Sequence, residues 1–273
     1  AKYLEKLAEA FTGLGGEIYE NVTALNIKGE EQPTVYTTGD FTVTADKICI
    51  CSHFPFYEGK GLYAARMYAD RAYVLLGKTT QDIQGLYLSV EEPTRSMRSA
   101  TVNEEKMTLI IGENHRTGAS DNTMKHYEAL QMYGEEKLGL KELTYRWSAQ
   151  DVTTLDELPY IGEITKGKSN ILIATGYRKW GMTNGTVAAL LLADIIHGKR
   201  SPYEELFTPN RLNATASMKN FLLQNMKVLG HLVKGKLEIP AQDVAGIKAE
   251  EGAVVRIDGE RKGVYKSKDG ELF

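Results

Sequence analysis

Residues 170–196 read NILIATGYRKWGMTNGTVAALLLADII, and three textures meet in them. Asn170 to Thr175 is an apolar run of strand length, with Leu172 and Ala174 on a buried strand. Tyr177 to Asn184 reads as a loop in which Gly176 and Gly181 permit close backbone approach. Gly185 to His197 then reads as a helix ended by Gly198, with Thr183 or Asn184 as its N-cap. Gly185, Thr186, Ala188 and Ala189 keep this helix thin enough to lie tightly on a sheet or cofactor. A helix N-terminus presents free N–H groups and partial positive charge, so it suits an electron-rich ligand group. By spacing alone, an ordinary strand-to-helix crossover reads the same way.

Upstream, residues 2–12 form a helical pattern with Tyr3, Leu4, Leu7, Ala8 and Phe11 on one face, ended by Gly13, Gly15 and Gly16. Glu17 to Asn21 reads as a short strand, and Thr34 to Thr38 and Phe41 to Thr44 as a hairpin about Thr38-Gly39-Asp40. Ala45 to Ser52 (ADKICICS) has the continuous apolar character of a strand buried on both faces in a parallel sheet. From Phe54 the texture changes. Leu62–Leu76, Leu86–Val90, Arg95–Val102 and Met107–Ile111 predict an antiparallel meander, Asn122–Leu138 a helix, and Leu143–Gln150 a returning strand. Leu158 to Gly162 brings back a turn and short strand; residues 203–210 read as surface turn and Met218–Lys234 as one more helix. Strand-like segments at Gly252–Ile257 and Gly263–Ser267, with turns at Asp258-Gly259 and Asp269-Gly270, close the chain.

The net charge of -3 makes no electrostatic case for nucleic acid or an anionic membrane. Ala1 opens directly into the first helical pattern without an apolar signal segment, and the apolar stretch at Phe221–Val233 is shorter than the roughly twenty residues a membrane span needs. Cys49 and Cys51 are the two cysteines; alternation puts both on one strand face, about 7 Å apart by strand rise, which predicts buried, reduced thiols in a cytoplasmic protein. His53 completes Cys-x-Cys-x-His, but no second ligand cluster accompanies it, so no metal site is assigned.

The string from Thr175 to Thr183, preceded by Leu155-Asp-Glu-Leu-Pro-Tyr-Ile-Gly162, resembles the C-terminal flavin-contact region of the D-amino-acid oxidase/glycine oxidase family, which includes sarcosine and glutamylputrescine oxidases. The opening helix, hairpin and ADKICICS are similar to the family's middle section, except that Cys51-Ser52-His53 stands where its strand often ends Ala-Thr-Gly. The resemblance extends over about residues 1–210, specific at 155–186 and loose in the meander. It implies an α/β (α+β) fold: a partial FAD-binding Rossmann-like layer from residues 1–53 and 153–210, and an antiparallel substrate domain from 54–152. A linker helix at 211–237 would follow. Residues 238–273 resemble the opening strands of a Rieske domain, against the alternative of a plain β-hairpin tail.

By the same resemblance Gly176, Trp180, Gly181, Met182 and Thr183 face the flavin, with Tyr177 and Arg178 within reach of flavin or substrate. Arg178 equally suits a solvated loop cation. Arg95 and Arg98 are candidates to bind a substrate carboxylate bidentately, yet three-residue spacing on a strand sends them to opposite faces. His115 and Tyr145 are further pocket candidates; no catalytic base is assigned. The Gly-x-Gly-x-x-Gly turn that holds FAD pyrophosphate is absent, since Gly13-x-Gly15-Gly16 follows a helix. This chain is therefore expected to bind FAD weakly or not at all and to be inactive by itself. The [2Fe-2S] ligand pairs of a Rieske domain would lie past Phe273, because no cysteine follows Cys51 and the last histidine is His231. The expected activity of the whole protein is oxidation of an amine or amino-acid C–N bond, passed to an unknown acceptor. A non-catalytic binding scaffold with a degenerate flavin site is the other reading.

Overall fold

The computed structural model describes residues 2–120, 122–211, 244–257 and 260–273. Helix α1 (Lys2–Gly13) leads into a small antiparallel sheet of β1 (Ala24–Lys28), β2 (Thr34–Thr37) and β3 (Thr42–Thr44), with the β2–β3 turn at Thr38–Asp40 as expected. The strand expected at Glu17–Asn21 is not formed. Backbone donors need partners, and it is Ala24–Lys28 that finds one, in β2, burying Ile27. β4 (Ile48–Ile50) follows, then the short helix α2 (Tyr63–Arg66) and the long strand β5 (Met67–Thr79). Leu62 was expected to open that strand. Instead Tyr63 turns inward, fully buried, and its hydroxyl donates to the Ile164 carbonyl at 2.6 Å.

β6 (Leu86–Leu88), β7 (Ser96–Val102) and β8 (Glu105–Arg116) form consecutive hairpin partners, α3 (Met124–Leu138) crosses, and β9 (Leu140–Thr154) returns. The sheet order is β6-β7-β8-β5-β9, so β5, the first strand of this sheet along the chain, lies between β8 and β9 rather than at an edge. One face of this sheet packs Tyr73, Leu75 and Ile110 against Leu130 and Leu138 of α3. The other carries Val74, Leu76, Met107 and Leu109. Both layers follow from the two-residue alternation of strands.

A second sheet pairs β10 (Tyr160–Glu163) antiparallel to β11 (Ile171–Thr175), and β11 parallel to β4 through Leu172↔Cys49 and Ile173↔Ile50. The parallel pairing expected is formed, but the burial expected of the thiols is not found. Ile50 is buried with Ile171 and Ile173, whereas Cys49 and Cys51 point to the opposite face and are exposed free thiols. Helix α4 (Gly181–Ile196) covers that face over β10 and β11 with Ala188, Leu191 and Leu192, but nothing described covers it over β4. Partial shielding still pushes both thiols above their ordinary range, chiefly by desolvation.

The region read as surface turn at 203–210 includes the helical turn α5 (Glu204–Phe207), and it is anchored. The Arg211 guanidinium forms paired 2.7 Å bonds with both oxygens of Asp156, side chains 7% and 6% exposed, and donates to the carbonyls of Leu158, Pro159, Phe207 and Thr208. Arg211 lies 4.4 Å and Arg66 4.5 Å from the Tyr160 ring, and Arg66 donates to the Pro209 carbonyl.

Residues Lys219–Phe273 form a separate compact unit; its described part contains the hairpin β12 (Glu251–Ile257) and β13 (Glu260–Lys266), paired from Glu251↔Lys266 to Ile257↔Glu260. The helix expected at 218–234, and all of the linker helix expected at 211–237 beyond Arg211, lie outside the described residues. Among the described residues no helix is long and apolar enough to cross a membrane.

Arg211→Met leaves the Asp156 carboxylate buried without its cation, and the expected loss is about 3–5 kcal/mol of unfolding free energy in denaturant titration.

Candidate functional site

The loop after β11 is held to the end of β9 by backbone bonds. Tyr177 makes an antiparallel bridge with Thr153, and the Arg178 N–H donates to the Val152 carbonyl at 3.0 Å. Gly176 adopts φ +78, and a Cβ there would stand 2.5 Å from the Thr154 methyl carbon, so position and conformation both require glycine. Thr175 donates from its hydroxyl to the His53 carbonyl at 2.7 Å, which brings the end of β4 to the same place. Arg178 also has positive φ, 53°, and its guanidinium pairs with Glu157 at 2.5 Å on the exposed surface. Lys179 reaches across to β8, its ammonium donating to Asn114 Oδ1 at 2.7 Å.

Helix α4 begins at Gly181, four residues before the expected start, with Trp180 in the N-cap position and no side-chain cap. The reversal through Gly176 and Arg178 brings the chain round early. Asn184, expected as a cap, has its N–H already in the helix, bonded to the Trp180 carbonyl at 2.8 Å, while its amide side chain donates to the Tyr177 carbonyl. The N–H groups of Gly181, Met182 and Thr183 precede the helix's own ladder and are free to face a ligand. Around them Trp180 (66% exposed) and Met182 (59%) stand open, and a Cβ at Gly181 or Gly185 would meet nothing within 4 Å. Tyr177 is half-buried at the base, its phenol pushed up to about 12 by burial and next by Cys51.

All seven residues expected beside a flavin therefore belong to one continuous loop and helix start. The two arginines expected at the substrate do not reach it. Arg95 turns to the α3 face, where its guanidinium holds Glu113 at 2.5 Å and lies 4.4 Å from the Tyr133 ring. Arg98 is on the opposite face and exposed, in the cross-strand row Arg98–Leu109–Leu76–Tyr145. That row lies six residues along β5 from Asp70, which pairs with Asp151 next to the loop, about 20 Å by strand rise. Tyr145 shares Arg98's face; His115 faces α3 with its Nε2 on the Tyr73 hydroxyl.

Asp151, Lys179 and Asn114, which sequence did not single out, are the polar groups that the tertiary fold places at the seam. Asp151 is half-buried and burial raises its carboxyl, with Lys179 and His53 opposing the shift and Asp70 adding to it. Their signal was invisible because β8, β9 and the loop are remote in sequence.

A cavity of about 230 Å³ lies at the other end of β5, lined by Thr79, Asp82, Ile83, Lys106 and Thr108 among others, and shares no residue with the loop. Among the described residues no group of three or more His, Cys, Asp or Glu is placed to hold a metal ion.

Gly176→Ala should cost about 1–3 kcal/mol of stability in denaturant titration, from the left-handed backbone and the Thr154 contact. As pH rises past about 10 the unfolded Tyr177 phenol ionises before the folded one. Stability should therefore fall between pH 10 and about 12, and Tyr177→Phe should make that fall shallower in pH-dependent melts.

The profile of the family described as FAD dependent oxidoreductase (DAO) matches residues 1–195. YhfW of Bacillus subtilis (strain 168), which carries the name of a Rieske 2Fe-2S iron-sulfur protein, is 43% identical over 272 residues, 99% of this chain and 53% of that protein. Glycine oxidase of Geobacillus kaustophilus (strain HTA426) is 22% identical over 211 residues, 72% of this chain and 53% of that enzyme. The crystal structure of glycine oxidase from Geobacillus kaustophilus superposes with a TM-score of 0.60 at 18% identity, covering 75% of this chain and 56% of that one. Iminodiacetate oxidase from Chelativorans sp. BNC1 gives 0.52 at 15% identity over 71% and 54%. The chain spans about half the length of the curated relatives it matches. With its fold shared by glycine oxidase and residues 1–195 matched by the family profile, the chain belongs to the DAO family of FAD-dependent oxidoreductases.

Proposed function

We propose that the protein carrying this chain oxidises the C–N bond of a small amine or amino acid, and that residues 176–183 face its flavin. The observation that carries this reading is the uncapped start of α4, ringed by exposed Trp180 and Met182 and reached through the Gly176 turn. These residues fit a flat, electron-rich group: open space at Gly181 and Gly185, an aromatic and a thioether side chain beside it, and three unengaged N–H groups. Bound FAD supplies the hydride acceptor. The N–H groups of Gly181, Met182 and Thr183 would meet that group with fixed dipoles, which suit negative charge without reorganising. The backbone seam to β9 holds them in position, and desolvation and orientation of a neutral amine do the rest.

Arg98, exposed but about 20 Å along the sheet from this loop, is too far to hold the carboxylate of a small substrate beside it, whereas Arg178 and Lys179 lie on the loop itself. Coupling to a Rieske [2Fe-2S] centre is supported by the name of YhfW. Residues 244–273 contain neither cysteine nor histidine, so that cluster finds no ligands in this hairpin and no step is assigned to it here. The domain assignment proposed is 1–53 and 153–210 for the flavin layer, 54–152 for the substrate sheet, and 238–273 for the start of the Rieske-type segment.

An absorbance spectrum of the full-length protein should show flavin bands, near 370 and 450 nm as a rough expectation, with broader cluster absorption beneath them. Thr183→Asp in that protein puts a carboxylate in the first turn of α4, which favours the helix but opposes an electron-rich ligand. FAD affinity should fall by about tenfold, or 1.4 kcal/mol, in fluorescence titration. Unchanged affinity would remove α4 from the flavin site, and a colourless folded protein would leave only a binding role.

A further inference from the structure

On the face of the sheet away from Arg98, two imidazoles are stacked. The rings of His115, on β8, and His126, in the first turn of α3, lie 4.3 Å apart at 14°. Tyr73 of β5 stacks on both, at 5.6 and 5.0 Å, and Tyr127 closes the group edge-on at 4.7 Å. The hydrogen bonds determine which nitrogens carry protons. His115 Nδ1 is 2.8 Å from the Arg116 carbonyl, which only accepts, so it donates there; its Nε2 then accepts from the Tyr73 hydroxyl at 2.9 Å. The Ser120 hydroxyl donates to the Asn122 carbonyl at 3.0 Å, so its oxygen accepts from His126 Nε2–H at 3.0 Å. Asn122 in turn accepts the Met124 N–H with its side chain at 2.9 Å, starting α3. His115 is thus bonded as a neutral ring, whereas His126 uses Nε2–H as a donor and would take a further proton at Nδ1.

We propose that this pair is a proton-operated latch: neutral, it holds Ser120, Asn122 and the first turn of α3 on the sheet, and protonation of His126 releases them. Four features oppose a cation at His126. It stands in the first turn of a helix, the positive end of the dipole. Its stacking partner is a second imidazole. Lys125 is its neighbour on α3, and β5 and β9 contribute Arg71, bonded to Ser148, and Arg146, 5.5 Å from the Tyr127 ring. Arg116 follows His115 on β8, and the Glu113 carboxylate of that strand is already engaged by Arg95. In keeping with this, desolvation first and His115 second hold His126 below the ordinary histidine range, with Lys125 adding and Glu113 opposing. A histidine depressed in the folded state contributes stability in full above about pH 6.5 and loses it as pH falls. The next residue back along β8, Asn114, holds Lys179 of the loop after β11, so release at His115–His126 loosens the strand end to which that loop is tied. The latch itself stands without the flavin reading.

Histidine C2–H exchange by mass spectrometry on the full-length protein reads the His126 titration directly, and backbone amide exchange at pH 7.5 and 5.5 reads its consequence. The expected result is a His126 midpoint below the ordinary value. Protection in residues 122–129, corrected for intrinsic rate, should be lower at the acid pH, by up to the roughly tenfold ceiling that linkage sets for a single histidine between these two pH values. His126→Gln keeps a donor for Ser120 without a titratable charge and should abolish the pH dependence of that segment alone. An ordinary or raised midpoint, or protection unchanged between the two pH values in the unmodified protein, would overturn the latch whatever the variant does.

Discussion

The antiparallel seam between the loop after β11 and the end of β9 sets the position of everything that could handle a ligand. The Tyr177–Thr153 bridge and the Arg178–Val152 bond join the parallel strand layer to the antiparallel sheet. The chain can make them because Gly176 turns through positive φ directly above Thr154, where no side chain fits. From that constraint the rest follows: Trp180 emerges at the cap position, α4 starts at Gly181, and its first N–H groups open beside the sheet. Lys179 then adds a side-chain tie to Asn114 on β8, so three strands of two sheets converge on one loop.

The rigidity behind this seam comes from a different kind of interaction. Asp156 and Arg211 are among the least exposed charged side chains of the structure, and their fork geometry is completed by four carbonyls. A buried ion pair of this kind adds little net stability over an apolar pair but is costly to break. Its effect is to fix where the chain passes after α5. With Arg66 and Arg211 both against Tyr160, the turn after β9, the edge strand β10 and the segment at 207–211 act as one piece.

Strand alternation settled several assignments that residue type alone left open. Arg95 and Arg98 look equally suited to a carboxylate, and their odd spacing correctly divides them between faces. Which face is open depends on α3, which packs on the side of Tyr73 and Leu130 and takes Arg95 with it. The same alternation put Cys49 and Cys51 together, yet their apolar run suggested burial on both sides. The helix that covers this layer lies over β10 and β11, and the thiol face of β4 stays uncovered among the described residues. His115 could not be distinguished from a pocket residue until α3 brought His126 onto it.

The sequence by itself determined the local pieces: the buried strand 170–175, the glycine-bearing loop, the thin helix, the hairpin about Gly39, and the likeness of 155–186 to a flavin-contact region. These are legible because periodicity, glycine chemistry and turn residues act over a few neighbouring positions. The tertiary structure alone decided that β5 lies between β8 and β9, that α4 begins four residues early, that Asp156 seeks Arg211, and that Asn114 meets Lys179. Those outcomes depend on pairings between segments tens of residues apart, where register and burial select one partner among many that composition would equally allow.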